Sequence, residues 1–363
     1  MKNTFGQSVS LTVFGESHGE AVGVVIDGLA SGIEVNLSDI ENALKKRRPS
    51  SLTDTTRVEK DEFKILSGVM NGKTTGTPIA IVIPNENTKS GDYEKTYGKA
   101  RPSHADYTAF VKYGGYEDYR GGGHFSGRVT AGIVAAGAIF KSALKNKNIK
   151  LASHILACKG VFDKKFTDIE KDIDALDGAC FPVLDKESGE KITAEILKAR
   201  ENLDSVGGII ETAVSGLPAG VGEPWFDSLE GVLSHALFSL GGVKGVEFGK
   251  GFSLCDMYGS EANDAFEYKG GKVVTLTNNN GGINGGISNG MPVIFNCAVK
   301  PTPSIAKAQN TVDFIKKENA TLEIHGRHDP AIIRRICPCI ESITAMCLCD
   351  MLSVKFGTDY LRK

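Results

Sequence analysis

Three of the seven histidines sit in polar, glycine-rich settings where a proton could be given or taken. His18 lies in Gly15-Glu16-Ser17-His18-Gly19, and His104 in Arg101-Pro102-Ser103-His104-Ala105-Asp106. His124 follows Gly121-Gly122-Gly123 and runs into Phe125-Ser126-Gly127-Arg128. Each falls in a turn between elements, where function concentrates, and imidazole exchanges protons near neutrality without any perturbation. A basic set accompanies them: Lys46, Arg47, Arg48, Arg101, Arg128, Lys300, Arg327, Arg334 and Arg335. A helix C-terminus balancing its dipole would account for Lys46 to Arg48. Arg101 and Arg327 are harder to dismiss, because each stands close to a His and an Asp. Guanidinium forks bind phosphate and carboxylate in bidentate fashion, so several arginines in turns point to a small, multiply anionic substrate.

Two glycine loops could hold such a ligand. Gly121 to Ser126 leads into a helix, and a helix N-terminus favours an anion. Asn278 to Gly286 leads on to Lys300-Pro301-Thr302-Pro303-Ser304, which offers a cation and hydroxyls. Three other motifs suggest chemistry that their context does not support. Gly15-Glu16-Ser17-His18-Gly19 fits the nucleophile elbow of serine hydrolases, but the elbow needs a helix after it. The Val-rich stretch 21–26 reads as a strand instead. Gly68 to Thr74 is one residue short of a phosphate-binding P-loop, and Asn71-Gly72 explains it better as a hairpin turn. Cys337, Cys339, Cys347 and Cys349 could suggest zinc, but the second pair lies within an apolar helix where Cys acts as a small hydrophobe; no metal is expected.

The elements that must position these residues read as mixed α and β. Strands are expected at Leu11–Phe14 and Val22–Ile26, and again at Lys64–Val69 and Pro78–Pro84, joined around Asn71-Gly72. A helix is expected over Asn36–Arg48, with Ser38 and Glu41 as its capping box and Pro49 as its stop. Ser126–Leu144 is a long helix of small residues. Asp227–Leu240 is another, capped by Asp227 and Glu230, and Cys339–Phe356 is an apolar helix. Strand-like runs fill Tyr268–Asn310. Residues 160–205 are charged and read as a peripheral insertion on a single large domain spanning 1–363.

The chain has 363 residues, is 41% hydrophobic and carries a formal charge of -2. It can bury a large core, and it has no bulk charge that would favour nucleic acid or a membrane surface. No apolar run approaches the roughly 20 residues that span a bilayer. Residues 1–10 are polar and lack the apolar segment of a secretory signal, so the eight cysteines are expected as free thiols in a cytoplasmic protein.

Over nearly its whole length the chain resembles chorismate synthase. The signatures are Gly15 to Gly19 followed by Val24 to Gly28, Gly123 to Ile139 with Ser126 and Arg128, and Arg327-His328-Asp329-Pro330 through Glu341. Further matches are Arg47-Arg48-Pro49, Arg101 to Asp106, Asp118 to Gly123 and Val243 to Glu247.

The resemblance implies an α+β fold of β-α-β sandwich type and a homotetramer. It implies 1,4-anti elimination of phosphate from 5-enolpyruvylshikimate 3-phosphate to give chorismate, the last step of the shikimate pathway. Reduced FMN is required without net redox change, and NADPH is a candidate reductant. By the same resemblance His18 protonates the departing phosphate and His104 the reduced flavin. Asp329, with Ser17 and Ser126, helps draw the ring proton off by way of the flavin. Flavin contacts carry over to His124, Phe125, Ser126, Gly241, Gly242, Gly285, Lys300, Pro301, Thr302, Pro303, Ser304 and Arg327. Arg47, Arg48, Arg101, Arg128, Arg334 and Arg335 line the substrate end. The chain departs from the family where Arg-Ser-Ser is usual and His124-Phe125-Ser126 stands, and at Thr53, where many members have Arg. A hydride-transferring reductase would need a nicotinamide site, and no G-x-G-x-x-G follows a strand. A non-catalytic anion-binding paralogue would be expected to have lost His18, His104 or Asp329.

Overall fold

The computed structural model describes residues 2–51, 53–55, 60–86, 97–324 and 329–363. Two five-stranded antiparallel sheets enclose a layer of helices. The first is built from β1 (Thr4–Phe5), β2 (Ser10–Gly15), β3 (Ala21–Asp27), β4 (Lys64–Ile65) and β5 (Ile79–Pro84), in the order β1-β2-β3-β5-β4. The second contains β6 (Lys150–Cys158), β7 (Val161–Phe162), β8 (Gly208–Ser215), β9 (Val243–Phe248) and β10 (Val293–Val299), in the order β9-β10-β8-β6-β7. The longer helices among the described residues are α1 (Leu37–Arg47), α2 (Asp106–Tyr113), α3 (Thr130–Lys145), α4 (Ile169–Leu176), α5 (Lys186–Glu201), α6 (Leu229–Leu237) and α7 (Ile333–Phe356). Helix α3 packs on β3 and β5, α7 packs on β6 and β8, and the two helices pack on each other. This is the α+β sandwich that the resemblance implied.

Small residues make that layering possible. A Cβ on Gly132 of α3 would fall 2.9 Å from Val24 Cγ1 and 3.0 Å from the Gly23 carbonyl carbon of β3. One on Gly137 would fall 2.0 Å from Ser342 Oγ of α7. The helical stretch Gly127–Lys145, made of a 3₁₀ turn and α3, and helix α7 are each long and apolar enough to cross a bilayer, contrary to the expectation that no such run exists. Every residue of the apolar window in α7 is buried between the sheets, as is most of that in α3.

The Asn71-Gly72 turn forms, with φ 51° and 71°, but it joins Val69–Met70 to Lys73–Thr74. The flanking strands pair directly instead, Lys64 with Val82 and Ile65 with Ile81. Two caps also differ from expectation. Asn36, not Ser38, caps α1 by accepting from the Ser38 N–H at 3.0 Å. Ser228, not Asp227, caps α6 by accepting from the Gly231 N–H. A short 3₁₀ turn, Gly127–Val129, precedes α3, and Ser126 caps it. Helix α7 begins six residues before Cys339 because it runs through Pro338. Proline removes one backbone donor there, and the burial of the surrounding residues overrides the loss.

Residues 160–205 carry α4 and α5, which pack against β6 and its neighbours in the second sheet. Phe166, Ile173 and Leu176 form a second small core there with Ala152 and Ala213. All eight cysteines are free thiols, and six of them are buried.

Candidate active site

Because α1, α3 and α7 pack against one another, the C-terminus of α1 meets the N-termini of α3 and α7. A pocket of about 260 Å³ opens where they meet. Its wall includes Arg47, Arg48, Ser126, Arg128, Gly241, Asp329 and Arg335, all expected site residues. Two converging helix N-termini add their partial positive charge. The buried Arg47 donates from Nε to Thr130 Oγ1 at 3.0 Å and from Nη2 to the Gly127 carbonyl at 2.9 Å. Burial pulls its pKa down, and the neighbouring Asp61 works against that. Arg128 donates from Nε to Asn85 Oδ1 and from Nη2 to the Pro84 carbonyl, both at 2.9 Å. Asp329 accepts from the Thr55 N–H at 2.8 Å and from Arg335, whose Nε donates to the Arg47 carbonyl at 2.8 Å.

Arg334 stands apart from this group. It is buried, does not line the pocket, and gives its donors to Asp54 and to the Lys46, Arg48 and Cys180 carbonyls. Its geometry braces the end of α1. Thr53, at the position where Arg is common, is buried with its hydroxyl 2.6 Å from Ser51 Oγ and does not line the pocket.

A glycine loop forms the second part of the site. Gly121, Gly122 and Gly123 all have positive φ, at 60°, 83° and 51°. A Cβ on Gly121 would fall 2.3 Å from His18 Cε1, and one on Gly122 would fall 3.1 Å from His104 Cε1. The loop therefore has one catalytic candidate against each of two successive glycines. His18 is buried, with Nδ1 2.9 Å from Ser17 Oγ. The Ser17 hydroxyl lies 3.2 Å from the carbonyls of Arg120 and Gly121. When His18 is protonated, Nδ1–H donates to Ser17 and the hydroxyl donates to one of those carbonyls. The transferable proton is then on Nε2.

Nδ1 of His104 donates to Asp106 Oδ1 at 2.8 Å. Burial pushes the Asp106 pKa up, but hydrogen bonds from Arg101 and His104 outweigh it and hold the carboxyl well below the usual range. Arg101 commits its backbone N–H, Nε and Nη2 to the same carboxylate, at 2.9, 2.8 and 2.6 Å. Asp118 is likewise held low by the hydrogen bond from Arg120.

The segments assigned to flavin connect these two parts. Lys300 donates from Nζ to the Ser103 carbonyl at 2.5 Å, beside His104, and from its backbone N–H to the Gly242 carbonyl at 2.9 Å, beside the pocket. Burial lowers the Lys300 pKa, as does Lys244. Thr302 gives its carbonyl to Ser205 Oγ, while its own buried hydroxyl has no partner among the described residues. Pro301 is exposed, and Pro303 and Ser304 are half-buried. The other flavin candidates lie further out. His124 donates from Nδ1 to the Gly15 carbonyl at 2.8 Å, and the exposed Phe125 ring sits 6.2 Å from Tyr113, so only Ser126 of that trio lines the pocket. Gly285 is in the turn between Ile283–Asn284 and Ile287–Ser288. Ser17 stands with His18 and is not among the residues lining the pocket that Asp329 borders. Arg327 lies outside the described residues.

Sequence reading missed Asp54, Asp61, Asn85 and Thr55, which hold the arginines and Asp329. The signal was indirect: arginines sunk into a core need acceptors, and the stretch 50–62 carries two such carboxylates in what reads as loop.

The family profile described as chorismate synthase matches residues 9–353. The chain belongs to the chorismate synthase family. Chorismate synthase of Dehalococcoides mccartyi is 45% identical over 354 residues, covering 97% of this chain and 96% of that one. Chorismate synthase of Thermococcus kodakarensis is 44% identical over 347 residues, covering 96% of each. A chorismate synthase crystal structure superposes with a TM-score of 0.76 at 27% identity, covering 97% of this chain and 94% of the other. Membership in the chorismate synthase family makes the chain a lyase of aromatic amino acid biosynthesis.

Proposed function

We propose that the chain eliminates phosphate from 5-enolpyruvylshikimate 3-phosphate to give chorismate, with His18 and His104 as its proton donors and the arginine pocket as its anion site. The observation that carries this reading is the glycine loop, which has His18 against Gly121 and His104 against Gly122 and runs directly into the pocket wall at Ser126–Arg128. His18, with Nδ1 engaged by Ser17, delivers its Nε2 proton to the departing phosphate. A leaving group that gains a proton or a positive neighbour leaves more readily. Asp106 fixes the orientation of the His104 ring through Nδ1, leaving Nε2 as the ring nitrogen toward the reaction. Arg47, Arg48, Arg128 and Arg335 receive the substrate's anionic groups, with Arg101 behind His104. Asp329 lines the pocket and is the carboxylate assigned to the ring proton, with Ser126 as a hydroxyl on the same wall.

The residues present fit reduced FMN. The Thr302 hydroxyl, partnerless among the described residues, offers a ligand contact, and Gly241 lines the pocket with no atom within 4 Å of where its Cβ would be. Gly241, Gly242, Gly285 and Lys300 to Ser304 would hold it, with Ser126, His124, Phe125 and Arg327 toward the glycine loop. When bound, reduced FMN supplies an electron-rich ring that promotes loss of phosphate and of the ring proton without net redox change. NADPH is the candidate reductant, tested by turnover with NADPH and oxidised FMN. The reading extends to a homotetramer in the cytoplasm. Trp225, Phe226 and Phe252 are 86%, 94% and 80% exposed, apolar side chains that a second copy could cover.

The decisive assay is anaerobic, with dithionite-reduced FMN and the phosphorylated substrate. Phosphate and chorismate should appear together, and no product would end the reading. His18→Ala and His104→Ala should each slow turnover about 10²–10⁴-fold as lost general acids. Near-normal rates would remove either residue from the mechanism.

A further inference from the structure

One carboxylate stands among three of the pocket's arginines. The Asp61 side chain is wholly buried, at 0% exposure. Its Oδ2 accepts from Arg47 Nη1 and from Arg48 Nε, each at 3.4 Å, and its Oδ1 accepts from Arg128 Nη1. The outer faces of Arg47 and Arg128 are anchored by Thr130, Gly127, Asn85 and Pro84, all neutral acceptors. Asp61 itself holds φ at 51°, a left-handed conformation that a non-glycine residue keeps only when its surroundings enforce it.

We propose that Asp61 is a positioning residue for the substrate: its carboxylate holds Arg47, Arg48 and Arg128 at one spacing against their mutual repulsion, so that they meet an incoming anion already arranged. The proposal rests on the reading that this pocket takes the anionic end of the substrate. Like charges at this range repel in a site of low dielectric, and without a shared counter-ion the half-buried Arg48 is the first that would swing away. A neutral amide is a poor replacement, because its N–H donors would face the N–H donors of arginine.

The test uses the full-length enzyme with reduced FMN and small molecules that restore the missing group. Asp61→Ala should lower kcat/KM about 10²-fold, the cost of misplaced binding groups, with most of the loss in KM. Formate, a free carboxylate of the right size, should restore much of it saturably, and neutral formamide should not. Asp61→Asn should show the same KM loss and no response to formate, because its amide fills the space. Rescue by formamide equal to that by formate, or a folded Asp61→Ala with unchanged KM or no formate response, would overturn the proposal. If Asp61→Ala does not fold, Asp61→Asn decides: a raised KM supports the proposal and a wild-type KM sinks it. Arg48→Ala, run alongside, tests the underlying reading. An unchanged KM there takes the pocket away from the substrate, whereas a raised KM beside an unaffected Asp61→Ala removes only the positioning role.

Discussion

The glycine loop depends on the absence of a single methyl group. At Gly121 a Cβ would fall 2.3 Å from His18 Cε1, 2.5 Å from its Nδ1 and 2.5 Å from Ser17 Oγ, and the backbone there has φ 60°. Alanine at 121 must therefore displace the imidazole, its serine partner, or the loop itself. Since misplacing a catalytic group by about 1 Å can cost 10²-fold in rate, Gly121→Ala should reduce kcat on that order. Steady-state kinetics beside a thermal melt would check this. A normal kcat would mean that His18 does not work from its observed position. The three histidines were legible as candidates because they stand in polar turns. Their partners were less so: Asp106 lies two residues from His104, but Ser17 binds carbonyls more than 100 residues away.

At the scale of elements, the pocket is a consequence of how closely α3 and α7 approach. Gly137 lies against Ser342, with 2.8 Å between its notional Cβ and the Ser342 Cα, so the contact involves backbone that cannot turn aside. Gly137→Ala should overpack this crossing and cost about 1–3 kcal/mol. A shift in denaturation midpoint at constant slope would show it, and an unchanged midpoint would mean that the helices separate freely. The small-residue character of α3 was visible in the sequence, as was its tight packing. The partner was not visible, because Pro338 disguised the first turns of α7, which carry the bracing Arg334 and the pocket-wall residues Arg335 and Ile336.

At the scale of the whole molecule, a buried ion cluster fastens residues 160–205 to the second sheet. His154 has Nδ1 2.9 Å from Asp163 Oδ2 and Nε2 2.9 Å from Glu211 Oε2. Asp163 also accepts the N–H groups of Leu184 and Asp185, and Glu211 that of Phe166. Burial lowers the His154 pKa, but its hydrogen bonds to both carboxylates outweigh that and raise the value overall. Burial pushes Asp163 up, and the His154 and backbone hydrogen bonds bring it below its ordinary value. The signs follow from linkage. The His154 contribution is complete below the ordinary imidazole range and is lost as pH rises through its raised folded value. The Asp163 contribution is complete above the ordinary carboxylate range and is lost as pH falls through its lowered one. His154→Ala leaves two buried carboxylates without their cation, which should cost on the order of 3–5 kcal/mol. The stability gap from wild type should be widest on the acid side of neutrality and narrow toward alkaline pH in denaturation series. A gap independent of pH would mean that His154 is held neutral.

The sequence by itself determined the residue types of the site, the family and most of the elements, because these depend on local pattern: histidines in turns, hairpin dipeptides, small-residue helices and three separated signatures. Only the tertiary structure decided which arginines face the pocket and which brace it. Arg334 and Arg335 are neighbours in the chain, yet one is enclosed by Asp54 and three carbonyls while the other borders the pocket. Neither spacing nor composition distinguishes them, because the difference lies in which buried acceptors come within reach once three helix ends converge. Asp61 shows the same physics from the other side: a charge in a loop that means little in sequence becomes the shared counter-ion of three arginines after folding.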